Sequence, residues 1–478
     1  MLLAIPLSKR TGRLFRQVYA RLREAILSGA LSSGDKLPST RDLSEQLGIS
    51  RTVVLLAYDQ LLAEGFVVGR KGSGTYVSSA VSASVSAVSR NSVKLRLSRF
   101  GSAAAEAWSR VNYPQRPARR LRYDFAYGIS DVENFPFAAW RRILMRCARR
   151  APISELDYGP PGGNSALREA ICTHLRRSRA VLCEPSQVIV VNGSQQALDL
   201  IARVLIETGD CVALEDPSYQ GTREVFRAAG ARVLPVPVDR LGLDPSKLPD
   251  ARLTVVTPSH QFPTGVILPL ARRLALLQWA KRRNAIIIED DYDGEFRYDG
   301  QSLDSLQGLD HEGRVIYIGT FSRTIFSTLR IGYLIAPRRL VRALLSAKWL
   351  SDRQTATLEQ QTLAEFISTG LYERYLRRVR RRNAARRDAL LGAVRTHFKD
   401  RVQVTGFEAG GHVVLWPRQR ISETTVIESA ASQGVRVYGM SGYSLQKAPR
   451  SGIILRYSRM NETEIREAIR RLSAAFSS

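Results

Sequence analysis

Val188-Ile-Val-Val-Asn-Gly-Ser-Gln-Gln196 decides how the chain is read. Its four apolar residues run without alternation, which marks a strand covered on both faces. Asn192-Gly193 breaks the run, and Ala197 to Leu205 then repeats at helical spacing. A strand that passes through a glycine turn into a helix leaves the first amides of that helix free to cradle a phosphate. The same alternation recurs outward from this unit. Thr254-Val-Val256, Ala285-Ile-Ile-Ile288 and Val315-Ile-Tyr-Ile318 are further apolar runs, separated by amphipathic stretches from Tyr123 onward. The pattern predicts an α/β domain with a mostly parallel sheet, helices on its faces and ligands at the carboxyl ends of its strands.

The amino-terminal part is built differently. Leu14, Val18, Leu22 and Ile26 recur every four residues and predict a helix ending near Ser28-Gly29. Ser39 or Thr40 caps a second helix that stops at Leu47-Gly48, and Ser50 caps a third whose Val54, Tyr58 and Leu61 share one side. A glycine between two short helices is the helix-turn-helix signature. Phe66-Val-Val68 and Thr75-Tyr-Val77 then read as two strands flanking Gly69-Arg-Lys-Gly-Ser-Gly74, a hairpin with a basic tip.

A chain of 478 residues, 44% hydrophobic, exceeds one ordinary core and predicts two domains. Its formal net charge of +27 points to a polyanionic partner. The four cysteines (Cys147, Cys172, Cys183, Cys211) have no paired metal spacing, so reduced thiols and no metal site are expected. Met1 to Pro6 is too short for a signal-peptide core, and no apolar run approaches the roughly 20 residues of a membrane span. A cytoplasmic protein with no membrane partner follows as the expectation. The division expected is a DNA-reading unit over 1–78, a tether over 79–120 and a large domain over 121–478, itself split into 121–340 and 341–478. The tether opens on the low-complexity tract Ser78 to Ser89, with room for a helix at Ala103 to Trp108. Leu344 to Leu391 reads as mostly helical and carries Arg374, Arg377, Arg378, Arg380, Arg381, Arg382, Arg386 and Arg387. Such a run is read as a solvated face, with a second DNA-contacting strip as the alternative. Val402 to Trp416, Gly452 to Tyr457 and a last helix, Glu462 to Phe476, make a small α+β subdomain.

Leu37-Pro-Ser-Thr-Arg41, Leu47-Gly-Ile-Ser-Arg51 and Arg70-Lys-Gly-Ser-Gly-Thr-Tyr-Val77 together resemble a GntR-type winged helix over its full length. The resemblance implies a double-stranded DNA operator as partner. Ser39, Arg41, Ser50, Arg51 and Thr52 would face phosphates or base edges, and Arg70, Lys71 and Gly72 would lie along the minor groove.

The motifs of the large domain, in chain order, resemble a class I aminotransferase of the MocR type across nearly all of 123–478. That resemblance implies the aminotransferase fold, a pyridoxal phosphate (PLP) pocket and a head-to-tail homodimer. Gly193, Ser194 and Gln195 would hold the phosphate, with hydroxyls from Thr320 and Ser322 and a bidentate Arg330. Glu215-Asp-Pro-Ser-Tyr219 would set Tyr219 on the pyridine face. Thr257 to Gly265 would line the cofactor, Asp290 would keep the ring nitrogen protonated, and Tyr292 would donate to the ring hydroxyl. Tyr158 would reach the partner subunit's phosphate.

Two residues depart from that family. Tyr317-Ile-Gly-Thr-Phe-Ser-Arg323 places Arg323 where the family carries its Schiff-base lysine. A guanidinium stays protonated and cannot serve as that amine, so no catalytic residue is expected. Gly442 stands where an arginine usually clamps the ligand carboxylate, with Arg436 or Arg456 as alternative clamps. Arg323 then has three readings: a relic in an empty pocket, a neighbour of noncovalently held PLP or its amino-acid adduct, or an anion clamp for another planar effector. An occupied pocket is preferred, because unpaired polar groups in an apolar cleft cost roughly 1–3 kcal/mol each. The function expected is a transcriptional regulator sensing a small-molecule effector, an amino acid or PLP-like compound. A working PLP aminotransferase with a DNA-binding appendage and a ligand-blind dimerising scaffold are the alternatives.

Overall fold

The computed structural model describes residues 13–81, 96–110, 121–126, 131–150, 157–298, 303–446 and 450–476. Met1 to Pro6, most of the Ser/Ala/Val tract and Leu156 lie outside them. The chain divides into two compact units, 1–96 and 97–478.

In the first unit, the helix Leu14–Leu27 buries Val18, Leu22 and Ile26, as the four-residue repeat requires. The helix Thr40–Leu47 starts at Ser39, whose hydroxyl accepts the Asp42 amide at 3.2 Å, and ends at Gly48 with φ +63°. That left-handed turn is open to glycine at little cost. The third helix, Arg51–Ala63, buries Val54, Ala57, Tyr58 and Leu61. Ser50 occupies its N-cap position but makes no side-chain capping bond, which corrects the expected cap. The hairpin strands are Val67–Arg70 and Gly74–Val77, in register Val67 to Val77. The first strand is shifted from the expected Phe66–Val68 because the Phe66 amide closes onto the Leu61 carbonyl at 2.9 Å. Gly69 and Arg70 stay in the ladder, so the tip shrinks to Lys71–Ser73, with Gly72 at φ +76°.

The second unit begins with a helix, Arg99–Arg110, longer than the segment expected within the tether. It packs on the helix Gln220–Ala228, and the Arg203 guanidinium lies 5.6 Å from the centre of the Phe100 ring. Behind it stands an eight-stranded sheet in the order 188–191, 332–335, 315–320, 286–291, 253–256, 211–216, 232–239, 242–243. The strands from 315–320 to 232–239 run parallel, while 332–335 is antiparallel to both its neighbours. The residues Val188 to Val191 are all fully buried, as an unalternating apolar run demands, and each contributes roughly 1.5–3 kcal/mol relative to an exposed side chain. Apolar clusters fill both faces of the sheet.

A second core covers an antiparallel sheet of Val402–Thr405, His412–Pro417, Ile453–Arg456 and Tyr438–Gly439, backed by the helix Glu462–Ala474. The intervening arginine-rich segment forms the helices Arg338–Asp352, Thr357–Ser368 and Leu371–Phe398. Its arginines divide. Arg374, Arg377, Arg378 and Arg381 are exposed. Arg386 is buried against Asp131 (3.0 Å) and the Ser458 carbonyl (2.8 Å), and Arg380 donates to the Glu295 carbonyl at 2.6 Å. The expected solvated face therefore holds for only part of the run.

Candidate functional site

The turn after Val191 is held from above and below. Gly193 has φ +88° and precedes the helix Ser194–Leu205, whose first amides have no carbonyl one turn back. A Cβ at Gly193 would stand 2.7 Å from Nη2 of Arg330, so only glycine lets that guanidinium close over the turn. Arg330 in turn donates to the Asn192 carbonyl at 2.7 Å. Beneath, Asp352 accepts from Asn192 Nδ2 and Gln196 Nε2, both at 2.7 Å, and Gln196 Oε1 accepts the Asn192 amide at 2.8 Å. Lys348, fully buried, completes the network by donating to the other Asp352 oxygen at 2.5 Å. The result is a fixed turn ahead of a helix N-terminus with a guanidinium beside it, an arrangement that can take an anion. Thr320 stands near the base of the following turn, its hydroxyl accepting the Ser322 amide at 3.1 Å.

At the other end of the site, Asp290 is one residue from the end of the strand Ile286–Asp291. Its Oδ1 is buried with no hydrogen-bond partner. Burial, with Asp291 adding and Arg323 opposing, pushes its carboxyl up to about 7. A buried carboxylate oxygen without a donor is costly, and a protonated ring nitrogen is one donor that satisfies it. Asp291 faces the opposite way. It accepts from Arg179 Nε at 2.7 Å and from the Tyr317 hydroxyl at 2.5 Å, anchoring the strand end. Arg179 also donates to the Leu303 carbonyl (2.7 Å) and to the Ser259 hydroxyl.

Tyr292 is anchored on the turn Thr257 to Gly265. Its hydroxyl donates to the His260 carbonyl at 3.0 Å and lies 3.0 Å from His260 Nδ1. A phenol only 8% exposed requires an acceptor, and the turn Thr257 to Gly265 supplies one. His260 Nδ1 also lies 3.0 Å from Asp293, and Nε2 of the same ring is buried without a partner. His412 packs 4.7 Å from His260, ring centre to ring centre, and its Nε2 lies 3.0 Å from the Pro263 carbonyl. Burial and the neighbouring His260 hold His412 well below the ordinary imidazole range. His260, Asp293 and His412 bring donor atoms within 4.8 Å of one another. Arg323 and Arg456 both act on His412 with like charge, which opposes a dication, so the cluster is read as hydrogen-bonded.

Arg323 is half-buried and within electrostatic reach of Asp290, His412 and Tyr443. Tyr219, 37% exposed, acts with Arg323 on the Tyr443 hydroxyl. Gly221 admits it, since a Cβ there would meet both the Tyr219 ring and Gln195 Oε1. Gly442 sits on a short turn, its carbonyl accepting from Gln220. Of the two alternative clamps, Arg456 is 4% exposed, bonded to Ser458 at 2.8 Å and adjacent to Gly411 and His412. Arg436 belongs instead to the neighbourhood of Asp124 and Tyr438. Tyr158 is 71% exposed, 4.1 Å beneath the Arg353 guanidinium.

The sequence motifs do not single out Arg179, His412, Asp293, Asp352 or Lys348. One signal was available: Lys348 and Asp352 are four residues apart, a helical ion-pair spacing. In the first unit, Arg41, Ser50, Arg51, Thr52, Arg70 and Lys71 are all exposed. Arg51 Nε donates to Thr40 Oγ1 at 3.1 Å, and the Arg70 guanidinium lies 4.7 Å from the centre of the Tyr76 ring. Among the described residues, no helix is long and apolar enough to cross a membrane.

Comparison with known proteins agrees with both halves. Residues 14–77 match the family described as bacterial regulatory proteins, gntR family, and residues 125–472 match aminotransferase class I and II. The chain is 38% identical over 468 residues to the probable rhizopine catabolism regulatory protein MocR of Rhizobium meliloti, covering 96% of this chain and 93% of that one. It is 32% identical to the HTH-type pyridoxine biosynthesis transcriptional regulator PdxR of Corynebacterium glutamicum, covering 96% and 95% of the two chains. Among solved structures it is similar to LysN, the α-aminoadipate aminotransferase of Thermus thermophilus complexed with N-(5'-phosphopyridoxyl)-L-leucine. The TM-score there is 0.71 at 28% identity, over 80% of this chain and 98% of that one. With a GntR-type winged helix joined to a class I and II aminotransferase domain, and a full-length likeness to MocR, the chain belongs to the MocR-type helix-turn-helix transcriptional regulators.

Proposed function

We propose that this regulator senses a planar, anionic effector held noncovalently in its aminotransferase-like domain, PLP or a PLP–amino-acid adduct, and is not an enzyme. The observation that carries the reading is Asp290, a buried carboxylate with an unpartnered oxygen and with Arg323 within electrostatic reach. The residues fit the anchoring of PLP. Gly193, Ser194, Gln195 and Arg330 would take the phosphate, with Thr320 and Ser322 beside it, and Asp290 would take the ring nitrogen. Tyr219 would cover the ring and Arg456 would hold a ligand carboxylate. Bound PLP supplies an electron-withdrawing ring and an aldehyde. Arg323, in place of the family's Schiff-base lysine, offers that aldehyde no exchangeable amine. It also removes the base that would carry a substrate proton, and leaves instead a fixed positive charge beside Asp290.

In this reading the protein works in the cytoplasm as a homodimer, with Tyr158 reaching the partner subunit's ligand. The winged helix would contact operator DNA through Ser39, Arg41, Ser50, Arg51 and Thr52, and the hairpin through Arg70, Lys71 and Gly72. An effector that binds one conformation more tightly shifts how the two winged helices address their half-sites. The test is a gel-shift titration on the DNA upstream of the protein's own coding sequence, with and without PLP. The expected result is an affinity or footprint that changes with PLP, with no transamination of any offered amino acid. Ligand-indifferent DNA binding would support a scaffold instead, and turnover would support an enzyme.

A further inference from the structure

Cys172 lies on the helix Ser165–Arg179, and Cys183 in the extended segment that leads from that helix to the strand Val188–Val191. Their sulfurs are 3.2 Å apart, a thiol–thiol contact between residues eleven positions apart. A disulfide is about 2.05 Å long, so the two need close by only about an ångström. The pair is asymmetric. The hydrogen bond from Cys183, with Arg176 and Arg168 nearby, holds the Cys172 thiol below its ordinary range, while the same bond and burial push Cys183 up. Both are buried, at 5% and 8% exposure, and Leu182 beside Cys183 is 59% exposed. All four cysteines are free thiols, and Cys147 and Cys211 are half-buried, hence easier to reach. The helix carrying Cys172 ends at Arg179, which is bonded to Asp291 and Ser259 in the floor of the ligand site.

We propose that Cys172 and Cys183 form a redox site that closes to a reversible disulfide when a hydroperoxide oxidises it. The Cys172 thiolate attacks one peroxide oxygen, the O–O bond breaks, and the other oxygen leaves as water or alcohol after taking up a proton. The resulting sulfenic acid is attacked by the sulfur of Cys183, which displaces the hydroxyl as a water that carries away the thiol proton. Two thiols and one hydroperoxide give one disulfide, one water and one further water or alcohol, with two electrons passed to the peroxide. A dithiol returns them.

The test is brief exposure of the folded full-length chain to hydrogen peroxide, followed by alkylation under denaturing conditions and peptide mapping. The expected map joins Cys172 to Cys183, with the loss of two hydrogen masses reversed by dithiothreitol, while Cys147 and Cys211 remain alkylated. Cys183→Ser should leave a sulfenic acid on Cys172 that dimedone traps. If Cys172 and Cys183 are recovered alkylated while Cys147 or Cys211 is oxidised, or if the bridge forms only in unfolded chains, the proposal is overturned. The wild-type map decides this even where the serine variant fails to fold.

Discussion

The two ends of the ligand site are finished to different degrees. At the phosphate end the Asn192 carbonyl and the Asn192 and Gln196 side chains are tied down, by Arg330 above and by the Asp352–Lys348 network below. At the ring end, Asp290 Oδ1 is buried without a partner. The contrast teaches that the fold builds the anchor into its own stability and leaves to the ligand the satisfaction of the ring end. In the proposed reading it also locates the departure from the aminotransferases: Arg323, within electrostatic reach of Asp290, would belong to the unfinished end, where a change of residue alters chemistry without dismantling the anchor.

The largest effect should come from Arg323→Lys, which in the proposed reading restores the Schiff-base amine. If the anchor is intact, covalent capture on borohydride treatment should rise from none to about one PLP per chain. A folded variant that captures nothing would mean that the ring end has diverged beyond this residue.

Next is Asp352→Asn, aimed at the anchor. It strands the Lys348 ammonium, which is fully buried, while Asp352 itself is 25% exposed. Breaking a fully buried pair costs roughly 3–5 kcal/mol; partial exposure lowers the expectation to about 2 kcal/mol in urea unfolding. Affinity for PLP should fall by about tenfold, with inorganic phosphate losing affinity in parallel. Loss of stability with phosphate affinity unchanged would break the link between network and cradle.

The third prediction concerns pH. Glu215, Glu289 and Asp290 are raised to about 7, in each case chiefly by burial. Between the unfolded carboxyl value near 4 and the folded value near 7, the folded chain binds more protons than the unfolded one. The stability these groups contribute is therefore present at low pH and lost as pH rises towards 7. Each group accounts for at most about 1.4 kcal/mol per pH unit. Asp290→Asn should remove one such share from the ligand-free chain, measured by denaturant unfolding at pH 5 and pH 7. An unchanged slope would show that Asp290 is not held protonated.

The smallest effect is a control on the separate unit. Lys71→Ala should lower the salt dependence of DNA binding by about one phosphate contact and leave PLP affinity unaltered.

Much of this arrangement was legible in the sequence, for reasons that differ by region. The winged helix is local. Its periodic Val18, Leu22 and Ile26, its Ser39 cap and its Gly48 turn are settled within a few residues of each other, and the strand Val188–Val191 declares its double burial by composition alone. The errors fall where distant segments compete for a group. Arg386 is drawn inward by Asp131, and Ser50 goes without its cap bond. Arg179 meets Asp291 across 112 positions, a pairing with no local pattern to reveal it. Lys348 looked unremarkable because its partner network reaches back to Asn192.

The central claim is that the pocket binds PLP without a covalent bond. The most direct measurement is a PLP titration of the purified full-length protein, followed by tyrosine and tryptophan fluorescence, with borohydride treatment and intact mass at saturation. The account predicts saturable quenching and an unchanged chain mass. A chain that gains the mass of reduced PLP on a lysine of the pocket, or that shows no saturable binding, would contradict it.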